Sequence, residues 1–364
     1  MKRLLLATIL CLLPAYALAS YSPPNNLRYA SNISSNMGTA ISTATLQGYE
    51  NLVIDQDMTL TADVSVPYTM TISMVAGAEI DGGYTLTVNG PFIGSKGCFG
   101  ATLAPVFGRN SVTEVLLSWY GATQDGSADD SDALEMAKDS MFEGCTLVLD
   151  GNSLFNTGVE FTNQIILDFG GNDITYTGAG IFIHMSTGGS ITDHPSRIEN
   201  GTLTSDTIGN GTAIQIDQSS GIQLERLRIL SFNKGVELTT AVDGGRCEST
   251  MFLGVTMRGC NYGLYLDGSG YATTIISYGQ TRFLGLNIST NGADAAVPYG
   301  VYQEANTSLY RSYFAPLTIW SESDGTICFY TDGSWNGIYG ELGFEVLALS
   351  QKHAKLVSER EFGE

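Results

Sequence analysis

Gly263-Leu264-Tyr265-Leu266-Asp267 carries the pattern that decides the fold: a small residue, then apolar side chains at every second position. The pattern also stands at Ala213-Ile214-Gln215-Ile216-Asp217, Gly235-Val236-Glu237-Leu238-Thr239 and Gly300-Val301-Tyr302-Gln303-Glu304. It returns at Thr326-Ile327-Cys328-Phe329-Tyr330, and in the fourth copy Gln303 takes an inward place. Alternation with period two marks a strand with one buried face. A second pattern interleaves with the first: Leu227-Arg228-Ile229, Val255-Thr256-Met257, Leu286-Asn287-Ile288 and Leu317-Thr318-Ile319, whose starts lie 28, 31 and 31 residues apart. A sandwich also has many short strands, but it does not repeat one inward pattern at a fixed interval. The expected fold class is therefore all-β, a right-handed parallel β-helix (solenoid) with one short N-terminal capping helix. Like positions on successive turns then stack ~4.8 Å apart, so that each turn buries its neighbours' apolar faces.

The helix is expected after Asp129-Asp130-Ser131-Asp132, where Ala133, Leu134, Ala137 and Met141 fall mostly on one face. Asp129 is read as the cap and Asp132 as its capping-box partner, both favourable to the helix dipole. Upstream, Asn51–Ile54, Met70–Met74 and Thr85–Val88 read as short strands, and the Ser/Thr/Asn-rich stretch from Ser20 to about Gly48 as loosely ordered. The organisation expected is a signal peptide over 1–19, a lead-in with short strands over 20–108, the β-helix over 109–345 and a charged tail or short helix over 346–364.

Lys2 and Arg3, the apolar run Leu4 to Leu13, Pro14 and the small-x-small Ala17-Leu18-Ala19 form an export signal cleaved before Ser20. The apolar run is shorter than the ~20 residues a membrane span needs. The protein is thus expected to be secreted or periplasmic, with no membrane insertion after cleavage. Without the leader, 15 of the 17 basic residues remain against 37 acidic ones, a net charge of −22. That balance excludes nucleic acid as a partner. It also opposes acidic polymers at long range unless Ca²⁺ bridges the charges. Six cysteines become five without Cys11, an odd number, and Cys247 and Cys260 are close enough in sequence to bridge a loop. No Cys/His cluster has transition-metal spacing.

The stretch from Trp119-Tyr120-Gly121-Ala122 through Asp125-Gly126 and Asp129-Asp130 to Ala133-Leu134 resembles the opening of the pectate-lyase superfamily, the rhamnogalacturonase/epimerase-like, pectin-lyase-like β-helix domain. Gly144-Cys145-Thr146-Leu147-Val148-Leu149 is similar to that family's first strand after the helix. Gly83 to Pro91 is similar to lead-in segments found before such domains, including those of phage tail spikes. The resemblance extends over about residues 80–345 and implies the fold, together with a polysaccharide as partner. Hydrolases, lyases, epimerases and inactive spikes share this opening. The polygalacturonase motifs Asn-Thr-Asp, Gly-His-Gly and Arg-Ile-Lys are absent after the helix, and Arg226-Leu227-Arg228-Ile229 lacks the lysine.

Aligning the first pattern places Gln215, Glu237, Tyr265, Tyr302 and Cys328 in one outward row, and Asp217, Thr239, Asp267, Glu304 and Tyr330 in the next. A glycoside hydrolase needs two carboxylates about 5 Å apart for retention, or roughly 6.5–9.5 Å for inversion. Asp217, Glu237, Asp267 and Glu304 are the catalytic candidates, and Tyr265 and Tyr302 the residues to bind sugar. Arg226, Arg228 and Arg258 suit a polysaccharide lyase, which must stabilise charge developing beside a uronate. Asp217, Asp267 and Glu304 are also the candidate ligands if Ca²⁺ takes part, though no contiguous calcium loop is present. The expected function is an exported polysaccharide-processing protein, a glycoside hydrolase or polysaccharide lyase. The alternatives are a non-catalytic glycan-binding surface protein or a phage-spike-like homotrimer.

Overall fold

The computed structural model describes residues 27–186, 196–240, 246–268, 276–295, 297–321, 327–332, 334–336, 339–346 and 356–358. Within them the chain is all-β apart from two α-helices and two short 3-10 turns. Every strand pairing among the described residues is parallel. Two long sheets, of fourteen and eight strands, dominate, and four smaller ones accompany them. The expected signal peptide over 1–19 lies outside the described residues, as does most of the expected C-terminal tail. Within the tail, Leu356–Ser358 is a strand beside Phe329–Thr331.

Both sequence patterns align as stacked strands. Ile214, Val236, Leu264 and Val301 are successive register partners in the eight-stranded sheet. Ile229, Met257, Ile288 and Ile319 are partners in the fourteen-stranded one. The fifth copy of the first pattern sits two residues away from its expected place, because Phe329 pairs with Val301 and Tyr330 with Tyr302. Ile327 and Phe329 are both apolar, so period-two alternation accepts either register, and the stack takes the one that continues the tyrosines. Tyr330, not Cys328, therefore extends the first outward row.

Inward rows make the core. Phe252, Phe283 and Phe314 follow one another at 5.1 and 4.6 Å between ring centroids, each ring buried. Burying one such side chain stabilises by roughly 1.5–3 kcal/mol, and each stacked pair adds about 0.5–1.5 kcal/mol. Gln303 occupies the inward row as expected, fully buried; its amide donates to Thr307 O at 3.3 Å and accepts from Thr331 at 3.0 Å.

Corners recur as regularly as strands. Asn200, Arg226, Gly254 and Gly285 follow the register-matched Glu199, Glu225, Leu253 and Leu284, and all four have left-handed φ, from 51° to 74°. A non-glycine residue pays of order 1 kcal/mol or more for this conformation, so Asn200 and Arg226 are held there by their surroundings.

Two local expectations change. Met37–Leu46, expected to be loosely ordered, is a helix. Asn36 caps it by accepting from Thr39 N at 2.9 Å, and Met37, Ala40, Ile41 and Ala44 form its buried face. The Ser/Thr content hid that spacing. The second helix, Ser131–Ser140, has Asp130 rather than Asp129 at its N-cap, and no side chain caps it. Asp130 turns back instead to accept from Thr123 N and Gln124 N at 2.7 and 3.2 Å, while Asp129 accepts from Ser131 N at 3.1 Å. Cys247 and Cys260, whose pairing the sequence left open, are free buried thiols.

The lead-in is built of shorter circuits. Asn51 pairs with Thr71 and Val64 with Leu86, about 20 residues apart rather than about 30. Phe99 N donates to Trp119 O at 3.0 Å, so these circuits continue into the longer ones over one hydrophobic core.

Candidate functional site

The structure gathers the expected carboxylates and tyrosines on the outer face of the eight-stranded sheet, and it occupies them there. Glu237, 6% exposed at its side chain, receives the Lys234 ammonium on Oε1 and Gln215 Nε2 on Oε2 at 2.8 Å. Glu304 accepts from the Tyr265 hydroxyl on one oxygen and from Gly268 N at 3.0 Å on the other. Asp267 accepts from Thr239 at 3.1 Å. Asp217 lies 3.8 Å from His184 Nε2, whose other ring nitrogen is 3.6 Å from Glu160. A hydrolytic carboxylate must reach a water or a glycosidic oxygen, and in Glu237 and Glu304 both oxygens already hold protein donors.

The tyrosines stack on one another. Tyr265, Tyr302 and Tyr330 lie at 5.2 and 4.8 Å with near-parallel rings. Tyr262 and Tyr299 stack alongside at 5.3 Å, and Tyr302 meets both edge-on. Tyr302 thus has a ring on each face, and the free side of Tyr265 carries Lys234 Nζ 3.8 Å from its centroid. Sugar stacking needs an open ring face, so Tyr265 and Tyr302 have only edges left for the role assigned to them. Burial pushes the Tyr302 phenol up to about 12, and that of Tyr265 further still through burial and the Glu304 contact.

The arginines lie on the fourteen-stranded sheet. Arg226 occupies its left-handed corner with Nε 2.6 Å from Asn200 Oδ1 and Nη2 3.0 Å from Glu199, and it also pairs with Glu225. Glu199, 7% exposed, forms an ion pair through its other oxygen with Arg197, whose Nε lies 2.9 Å away without the alignment of a hydrogen bond. Burial pushes the Glu199 carboxyl up against the pull of Arg197. Asp168, Glu199 and Glu225 are register partners on three successive strands, an acidic row that sequence reading missed. Its only signal was the recurrence of an acid two positions after a strand start, which is easily passed over in a chain with 37 acids.

Beside this row opens a shallow cleft of about 560 Å³, lined by Asp168, Asn200, Thr202, Arg226 and Arg228. Gly170, Gly171 and Gly201 complete its wall. A Cβ on Gly201 would stand 2.4 Å from Phe169 Cβ, so the backbone there can lie only as close as glycine allows. Asp168 accepts from Gly170 N at 2.9 Å and Asn200 Nδ2 at 3.1 Å, both on Oδ1. Arg228 is exposed and makes no hydrogen bond or ion pair with a described residue, and the same holds for Arg258. Arg258 stands one strand on from Arg228 and two residues further along, outside the cleft.

Among the described residues no three His, Cys, Asp or Glu side chains converge as a metal-ligand set. Asp217, Asp267 and Glu304, the Ca²⁺ candidates, follow one outward row with the protein donors given above.

No family model matches the chain, and no curated protein matches it. Among solved structures it is similar to ORF18 of Geobacillus virus E2, at 12% identity and a TM-score of 0.38. That similarity extends over 65% of this chain, which spans 62% of the length of the viral protein.

Proposed function

We propose that this chain is an exported protein, wound as a right-handed parallel β-helix, that binds a polysaccharide without cleaving it. The winding is supported by parallel pairing at intervals of about 20 to 37 residues, since crossovers between parallel strands are right-handed in ~98% of cases. Export rests on residues 1–19; among the described residues no helix is long and apolar enough to cross a membrane. The likeness of residues 119–134 to the pectate-lyase superfamily belongs to the same reading.

One observation carries the binding site: the cleft from Asp168 to Arg228 opens onto a row of hydroxyl and amide side chains, Thr202, Thr256, Asn287 and Thr318, with Arg228 among them. Polar groups repeating ~4.8 Å apart beside an open cleft give an extended chain of sugar hydroxyls successive partners. Glu237 and Glu304, with both oxygens engaged, support binding over hydrolysis. The test is to offer the mature protein a panel of neutral and acidic polysaccharides, with and without Ca²⁺. Reducing ends, the ultraviolet absorbance of unsaturated uronates and retention on immobilised polymer are all followed. Retention without new ends is expected. New ends alone would establish a hydrolase, and new ends with absorbance a lyase; either result overturns the binding-only reading.

A further inference from the structure

Ten outward positions on five stacked strands of the fourteen-stranded sheet carry no acid. One row runs Thr202, Arg228, Thr256, Asn287, Thr318. The next runs Thr204, Leu230, Arg258, Ser289, Trp320. In a chain with 37 acidic residues against 17 basic ones, ten such positions with two arginines, bounded by Asp173 and Glu345 along the rows and by the Asp168–Glu199–Glu225 row beside them, depart from the average surface.

Elsewhere several cations pair with acids, Arg109 with Glu143, Lys138 with Glu135, Arg197 with Glu199, Lys234 with Glu237 and Arg246 with Glu248, whereas Arg282 on the same sheet is exposed without an acid partner among the described residues. Arg228 and Arg258 have no such partner among the described residues, and both are exposed. Their backbones are one strand and two residues apart, a diagonal of roughly 8 Å. Two guanidinium forks at that separation, with the Thr256 hydroxyl and Leu230 at the other two corners, suit neighbouring anionic substituents on one polymer, since the fork matches a carboxylate or sulfate bidentately. The charge of the whole protein does not forbid this. At ~0.15 M salt the screening length is about 8 Å, so the acids of other faces are muted while a contact ion pair is not.

We propose that this face selects polysaccharides bearing anionic groups, carboxylate or sulfate, through Arg228 and Arg258. The inference rests on the binding reading above and adds the class of ligand. Trp320 stands in the second row before Glu345, and its half-buried ring borders the path of the polymer.

The experiment measures retardation of the mature protein in native gels cast with dextran (neutral), polygalacturonate (carboxylate) or dextran sulfate (sulfate). At least one anionic polymer is expected to retard the protein more than dextran does, and raising salt should weaken that effect. An adventitious ion-exchange effect is disfavoured by the net charge of −22, which repels both polyanions. Replacing Arg228→Gln and Arg258→Gln together should weaken the affinity by roughly tenfold for each charge-assisted hydrogen-bonded pair removed. Arg228→Lys, which keeps the charge but not the fork, should weaken it less. The two anionic arms separate carboxylate from sulfate. Equal retardation by dextran overturns the inference but leaves polysaccharide binding intact. Unchanged anion binding by the double glutamine variant overturns the assignment to this face. No retardation by any polymer overturns both. Both arginines are exposed and unpartnered, so the double variant should keep the parent's urea midpoint, which checks that its fold is intact.

Discussion

Replacing Tyr302 by alanine separates a structural tyrosine ladder from a sugar-binding one. Tyr302 is stacked on both faces, against Tyr265 at 5.2 Å and Tyr330 at 4.8 Å, with rings tilted by only 10° and 11°. Each stacked pair contributes about 0.5–1.5 kcal/mol beyond its buried area, so the two faces together account for about 1–3 kcal/mol. Truncating a half-buried ring forfeits about 1 kcal/mol more of apolar burial. The edge-on contacts with Tyr262 and Tyr299 overlap these contributions and are not added separately. Tyr302→Ala should therefore destabilise by about 2–4 kcal/mol, whereas Tyr302→Phe, which keeps the ring, should stay within ~0.5 kcal/mol of the parent. Urea unfolding followed by far-ultraviolet circular dichroism measures both, provided one transition with an unchanged slope is seen. Retention on polysaccharide, measured well below the transition, should be the same for all three proteins. A Tyr302→Ala protein with the parent's midpoint that no longer binds the polymer would refute this reasoning and return the tyrosines to the role of sugar platform.

Two further outcomes follow from the interior. Cys98, Cys145, Cys247 and Cys260 are buried, and burial holds their thiols at about 11 to 12; a thiol reagent at pH 8 should leave all four unmodified until denaturant is added, as peptide mass mapping would show. A labelled Cys247 or Cys260 in the native protein would contradict the packing described. Asp130, 3% exposed, satisfies Thr123 N and Gln124 N, so Asp130→Ala should cost roughly 2–4 kcal/mol by stranding both donors. Asp130→Asn, which keeps an acceptor, should cost less; equal losses in urea unfolding would count against this account.

The strands were legible in the sequence because inward positions obey a strict rule. Ile229, Met257, Ile288 and Ile319 are apolar at fixed intervals, and they align in space as the intervals require. Register was less legible where alternation continued past the repeat, as at Ile327 and Phe329, since either choice buries an apolar residue. The helix at Met37–Leu46 was hidden for the opposite reason: half of its buried face is alanine, and apart from the exposed Leu46 its other positions are threonine, serine and glycine. Candidate site residues were harder to read. Outward positions follow no apolar rule, so the sequence shows that Glu237 and Tyr265 share a row but not that Lys234 lies between them and engages both. Arg226 and Arg228 were visible as a basic pair. Only the fold shows that Arg226 is tied to Glu199, Glu225 and Asn200, while Arg228 faces the cleft.

The stacked left-handed corners have a consequence for how such a chain can change in length. Asn200, Arg226, Gly254 and Gly285 turn the backbone at matched places, so each circuit is a closed unit between one corner and the next. Inserting or deleting a single residue inside a strand would send every following side chain of that strand to the opposite face. Adding or losing an entire circuit of 28 or 31 residues leaves each inward row inward and each corner above its predecessor. Heritable length variation in this protein should accordingly come in whole-circuit quanta along the stack, with smaller steps confined to the loops that leave it.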